Sequence, residues 1–116
     1  MAAKLNLTIF QGSDFKRAMT LKDELGDLIN LSTYSFKGQA RESYESELPS
    51  FEFEFIIRDQ ETDEGMVEMF LSSDSTSAMD IKKETKFIYD VEMTIPGTGV
   101  RRLLEGSVRI LPEVTR

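Results

Sequence analysis

Carboxylates dominate the reactive groups of this chain: Asp and Glu number 21 against 14 Lys and Arg, and His and Cys are absent. Without imidazole there is no histidine base, no Ser–His pair and none of the common zinc sites. Without thiols there are no disulfides and no thiolate nucleophile. Carboxylates, amines and hydroxyls remain, so the chain is expected not to be an enzyme, with no catalytic, cofactor-binding or metal residue assigned. One run resembles a cation loop. In Asp59-Gln60-Glu61-Thr62-Asp63-Glu64-Gly65, oxygen ligands recur at alternate positions, as a hard cation requires. Its glycine falls one position late, and Phe70 stands where a bidentate Glu belongs, so the expectation is a solvated acidic hairpin loop.

Binding chemistry is better represented. Glu42, Glu45 and Glu47 surround Tyr44, and aromatics are enriched at interface hot spots, so this loop is a candidate for protein docking. Arg101 and Arg102 are adjacent and would point to opposite faces of a regular strand, where they could pair with neighbouring carboxylates or contact another subunit. Pro112 should stop the last strand. The segment Glu113-Val114-Thr115-Arg116 then either frays or adds to the sheet edge of a neighbour. Tyr44, Arg101, Arg102, Glu113, Val114, Thr115 and Arg116 are thus the candidate interface residues. Asn6-Leu7-Thr8 and Asn30-Leu31-Ser32 match glycosylation acceptors, but the N-terminus lacks a signal peptide's apolar core, so both are read as chance matches.

These residues must be held by strands. At 116 residues, positions 1–116 are expected to form a single domain with one core. Leu5, Leu7 and Ile9 alternate with Asn6 and Thr8, predicting a strand over 4–10. Gln11 to Asp14 is a turn, 15–21 a second strand, 22–27 a longer hairpin loop, and 28–32 a short edge segment crossing to another sheet. A weakly patterned strand follows over 34–41, then the acidic loop 42–50. The clearest strand has Phe51, Phe53, Phe55 and Ile57 on one face and Glu52 and Glu54 on the other. Each aromatic ring there buries on the order of 150–250 Å², which predicts a central strand. Another strand is expected over 66–71, a single capped helical turn near 72–79, and an acid-base run leading into a C-terminal hairpin. In that hairpin Tyr89, Val91, Met93 and Ile95 face Leu104, Gly106, Val108 and Ile110 across a Pro96-Gly97-Thr98-Gly99 turn. The expected fold is an all-β, Ig-like antiparallel sandwich of about seven strands. Its expected core is Leu5, Leu7, Ile9, Phe51, Phe53, Phe55, Tyr89, Val91, Met93, Leu104, Val108 and Ile110.

The hairpin also carries a family likeness. Tyr89-Asp90-Val91-Glu92, Arg102-Leu103-Leu104-Glu105-Gly106 and Pro112-Glu113-Val114-Thr115-Arg116 resemble the C-terminus of a family of small bacteriophage virion proteins. These are tail-associated Ig-like sandwiches, similar to the N-terminal domain of baseplate upper proteins. Gln11-Gly12-Ser13-Asp14-Phe15 resembles the turn after the family's first strand, and 21–31 its second hairpin, with Thr33 in place of a family glycine. Between Phe36 and Lys86 little is specific to the family.

The resemblance implies a virion structural protein, a tail or baseplate adaptor linking the tail to fibres or other peripheral parts. It would be present in several copies, assembled in the host cytoplasm, with other virion proteins as partners. Two alternatives stand beside it: a capsid decoration protein, and a non-viral binding module for carbohydrate or peptide. The absence of Trp weighs against a sugar binder. The net charge of −7 disfavours nucleic acid, whose phosphates are bound by clustered cations. No apolar run approaches the ~18–20 residues of a membrane span, so no membrane partner is expected.

Overall fold

A computed structural model describes residues 2–114. Eight strands and one short helix form among the described residues: β1 (Ala3–Lys4), β2 (Leu7–Phe10), β3 (Phe15–Thr20), β4 (Ser35–Arg41), β5 (Phe51–Ile57), β6 (Met66–Leu71), α1 (Ser73–Ser77), β7 (Thr85–Ile95) and β8 (Gly99–Leu111). The fold is nearly all-β. One helix of the expected kind is present, with Ser72 as its N-cap and its side chain accepting from the Ser75 N–H. No helix of the described residues is long and apolar enough to cross a membrane.

The hairpin β7–β8 is the longest element. Phe87, Tyr89, Val91 and Met93 point inward and are buried, as period-two alternation requires. Its turn places Pro96 and then Gly97 at φ 75°, and the Thr98 N–H donates to the Ile95 carbonyl at 3.0 Å. That is the order a type II turn demands, with proline first and a positive φ second. Val91 pairs with Leu104 but Glu92 pairs with Arg102, which leaves Leu103 as a bulge. The bulge bends the hairpin and increases its twist.

The expected first strand is broken in two, which raises the count to eight. β1 pairs with Leu104–Glu105 and β2 with Val108–Leu111, both parallel to β8. The break at Leu5–Asn6 faces Gly106, where a Cβ would overlap the Leu5 carbonyl. The Asn6 side-chain carbonyl there accepts from both the N–H and the hydroxyl of Ser107, each at 3.1 Å. The gap in the ladder is thereby filled by a side chain.

The remaining strands curl the sheet. The order is β1-β8-β7-β4-β5-β6-β3, with β2 also on β8. β5 pairs through Phe51–Phe53 with β4 and through Glu54–Ile57 with β6, so one strand turns the corner. The product is a mixed sheet wrapped into a half-barrel, not a purely antiparallel one. This corrects the expected antiparallel arrangement, and the cause is the parallel docking of the N-terminal strands. The turn at 11–14 joins no hairpin. It carries the chain from β2 at one edge of the sheet to β3 at the other.

The core fills the concave side. Leu7, Ile9, Phe53, Tyr89, Val91, Leu104, Val108 and Ile110 are buried as expected, while Leu5, Phe51 and Phe55 pack against them half-exposed. Phe53 lies 5.8 Å from Tyr89 and 6.1 Å from Phe15, centroid to centroid, and Phe51 lies 5.3 Å from Phe87 in an edge-to-face pair. Leu31, Ala40, Val67, Met69, Leu71 and Phe87 join the interior without having been expected there. β4 reads weakly because its inward positions include Gly38 and Ala40. A Cβ on Gly38 would come within 3.0 Å of the Phe55 ring and 3.3 Å of Phe53. Small residues in the middle strand make room for large ones on β5.

Candidate functional site

The outer face of β4, β7 and β8 is built by register. Lys37, Glu92 and Arg102 form one cross-strand row, Gln39, Asp90 and Glu105 the next, and Arg41, Ile88 and Ser107 a third. Neighbouring strands place such partners within reach of one another; opposite charges alternate along the first row, whereas the second sets Asp90 beside Glu105. The Arg102 Nε lies 3.5 Å from the Asp90 Oδ2. Arg41 is used differently. Its Nη2 donates to the Gln39 Oε1 at 3.0 Å and its Nη1 to the Ser46 carbonyl at 2.9 Å, which pins the acidic loop to the sheet. The Gln39 amide in turn donates to Glu52 at 2.5 Å.

Tyr44 stands over this face. It is 85 % exposed, and with Arg41, Ile88, Glu92, Arg102 and Glu105 it lines a shallow cleft of about 250 Å³. The sequence alone singled out Tyr44 and Arg102 separately, and the fold brings them together. Exposed ion pairs such as Arg102–Asp90 contribute only ~0–1 kcal/mol to the fold. These charges are therefore available to a partner, and the aromatic ring supplies an apolar anchor beside them. The arrangement suits recognition of a polypeptide surface.

The other candidates lie elsewhere. Arg101 pairs across the hairpin with Met93, on the opposite face from Arg102, as adjacent strand residues must. It lines a cleft of about 810 Å³ with Ile29, Tyr34, Ile95 and Leu103, which Arg102 also reaches. Glu113 and Val114 sit at the far end of β8. There the Glu113 N–H donates to the Gln11 Oε1 at 2.9 Å, and the Gln11 amide donates to the Met79 carbonyl at 2.7 Å. Glu113 is thus tied to its own chain, whereas Val114 is 94 % exposed. Thr115 and Arg116 lie outside the described residues.

The Asp59–Gly65 loop is held by the side chains of Asp59, Gln60 and Asp63, while Glu61 and Thr62 stay exposed. The Asp59 carboxylate accepts from the Glu61 N–H at 2.9 Å, and Asp63 lies 3.2 Å from Arg58. Arg58 also binds Glu68, and that hydrogen bond, with the nearby Asp63, raises its pKa above the ordinary arginine value. The Gln60 Oε1 accepts from the N–H groups of Leu31, at 2.8 Å, and Gly65, at 2.9 Å. Among the described residues no three metal-ligating side chains converge. Asn30 folds back on the N–H and hydroxyl of Ser32.

Sequence reasoning missed the polar pins: Gln11, Arg41, Gln60 and Thr76. Thr76 is fully buried, accepts from the Gly12 N–H at 3.0 Å and donates to the Ser13 carbonyl at 2.9 Å. Gln11 and Thr76 join groups distant in the chain, and Gln60 reaches Leu31 as well as nearby Gly65, whereas Arg41 acts locally on Gln39 and Ser46.

Compared with protein-family models and with curated proteins, the chain matches none.

Proposed function

We propose that the chain is a structural protein of a bacteriophage virion, a tail or baseplate adaptor acting through protein–protein contacts and without catalysis. One observation carries this reading. The segments that resemble the virion family are separated in sequence yet contiguous in space. Tyr89 pairs with Gly106, Asp90 with Glu105 and Glu92 with Arg102, and Glu113 is tied to Gln11 in the turn that bears the N-terminal likeness. Residues shared with a family for structural reasons are expected to meet in this way. The Ig-like reading of the fold is part of the same proposal. It is supported by an N-terminal strand lying parallel to the last strand and by two sheet regions joined through β5. Partners would be neighbouring tail, baseplate or fibre subunits, and the Tyr44–Arg102 face is the surface offered to them.

The test is to isolate particles of the phage that encodes the chain, quantify the protein by mass spectrometry and locate it by labelled imaging. Several copies per particle, confined to tails, are expected. Copies found only on heads would replace the adaptor with a decoration protein, and absence from particles would end the virion reading.

A further inference from the structure

Among the described residues three strands leave their outer edges unpaired: β1 and β2 at one end of the sheet, where Lys4 is the one charge, and β3 at the other. They differ in charge. β2 is uncharged, whereas β3 with the two residues after it carries Lys16, Arg17 and Lys22, and no anion stands between Asp14 and Asp23. Arg17 lies on the same side of β3 as Phe15 and Met19, which pack on the core, yet it is exposed. The opposite sign is concentrated in residues 42–54, which hold Glu42, Glu45, Glu47, Glu52 and Glu54 and no cation. Among the described residues, none of these eight charges belongs to an ion pair within 4.0 Å. β6 separates β3 from β5, so the two segments do not neutralise each other within one copy.

We propose that the β3 edge docks the acidic 42–54 segment of a second copy of this chain. Residues 42–50 form a loop and Glu52 and Glu54 project from β5, which is already paired, so the contact is made through side chains at the open edge and not by adding a strand. The cations of that edge repel basic segments and favour an acidic one, so they select the partner as well as guard the edge. The acidic segment also exposes Tyr44 and, at 80 %, Leu48, which supply apolar anchors against Ala18 and the half-buried Met19. Copies of a chain with net charge −7 repel each other over most of their surface. A contact between β3 and the acidic segment is one at which this repulsion is reversed. Edge and segment are different surfaces, so the contact closes a two-fold dimer where it is reciprocated and otherwise runs head-to-tail into rings or open chains. The inference builds on the reading of the Tyr44 loop as a docking element and is independent of the virion assignment.

Sedimentation velocity on the full chain tests it, with circular dichroism of every variant as a check on folding. The wild type should form concentration-dependent dimers or larger species. These should weaken at least about tenfold at 1 M salt, where the screening length falls to about 3 Å. The K16E/R17E and E45K/E47K variants should each be monomeric alone, and mixing them should restore association, since each then supplies the charge the other lacks. A monomeric wild type would overturn the proposal, as would variants that associate like the wild type or a mixture that stays monomeric. A dimer abolished by Thr8→Lys would overturn it too, by assigning self-contact to β2. Copy number in particles answers the virion question separately.

Discussion

At Tyr89 one side chain serves both packing and backbone satisfaction. The ring packs on Phe53 and faces Gly106, and its hydroxyl donates to the Leu5 carbonyl at 2.6 Å, where the N-terminal strand is interrupted. Burial pushes its pKa from 10.0 up to about 12, because the phenolate would lose its hydration there. The neutral form is the one the folded state prefers, so the folded state holds its proton more tightly than the unfolded chain. The resulting stability is complete below pH 10 and is lost as pH rises from about 10 through about 12. Urea titrations at rising pH should show this loss, and Tyr89→Phe should abolish it while costing about 1 kcal/mol for the missing hydrogen bond. A variant whose pH profile matches the wild type would place the titration elsewhere. Gly106→Ala should be harsher for a steric reason, since the new methyl overlaps the Leu5 carbonyl, and a loss of about 1–3 kcal/mol is expected in the same assay.

Among the elements, β5 does the most to shape the molecule. Its phenylalanines reach both halves of the sheet, while Glu52 and Glu54 stay exposed. Phe53→Ala should cost roughly 3–5 kcal/mol, as truncation of a packed aromatic does. Glu52→Ala should stay within about 0.5 kcal/mol, because only an exposed hydrogen bond from Gln39 is lost. Equal midpoints in guanidinium would mean that the strand's faces are reversed. The end of β8 divides at Glu113. Removing residues from Val114 onward should leave thermal stability unchanged. Removing Glu113 as well takes away the N–H that Gln11 accepts, and a loss of about 1 kcal/mol is expected. The truncation point therefore separates a structural role from a docking one.

For the whole molecule, the half-barrel matters because it leaves two edges and a broad polar face exposed to neighbours. Under the virion role proposed above, a null phage complemented with a chain ending at Glu113 should assemble fewer copies into tails if the terminal residues dock. Normal incorporation, measured by particle mass spectrometry, would assign them no role in docking. The substitution Tyr44→Ala removes a largely exposed ring from the outer face. It should leave the denaturation midpoint within about 0.5 kcal/mol of wild type while lowering incorporation. Loss of stability without loss of incorporation would show that the ring serves the fold.

Much of the local order was determined by the chain itself. Alternation at Phe51–Ile57 and Tyr89–Ile95, the Pro-Gly turn and the serine cap of α1 each depend on a few adjacent residues, and local backbone preference settles them. The outward carboxylates and the inward phenylalanines follow from the same period. What the tertiary structure decided is every relation between distant segments. β4 is a central strand although its pattern is faint, because Gly38 and Ala40 are small in answer to rings on another strand. The N-terminal strand breaks at Leu5 because Gly106, far along the chain, lets two backbones approach. Gln11, Gln60 and Thr76 acquire their roles only from carbonyls and N–H groups that the fold brings to them. Arg102 comes to share a cleft with Tyr44 through register, a quantity summed over β4, β7 and β8 together, and a one-residue slip in any of them would turn Arg102 to the other face.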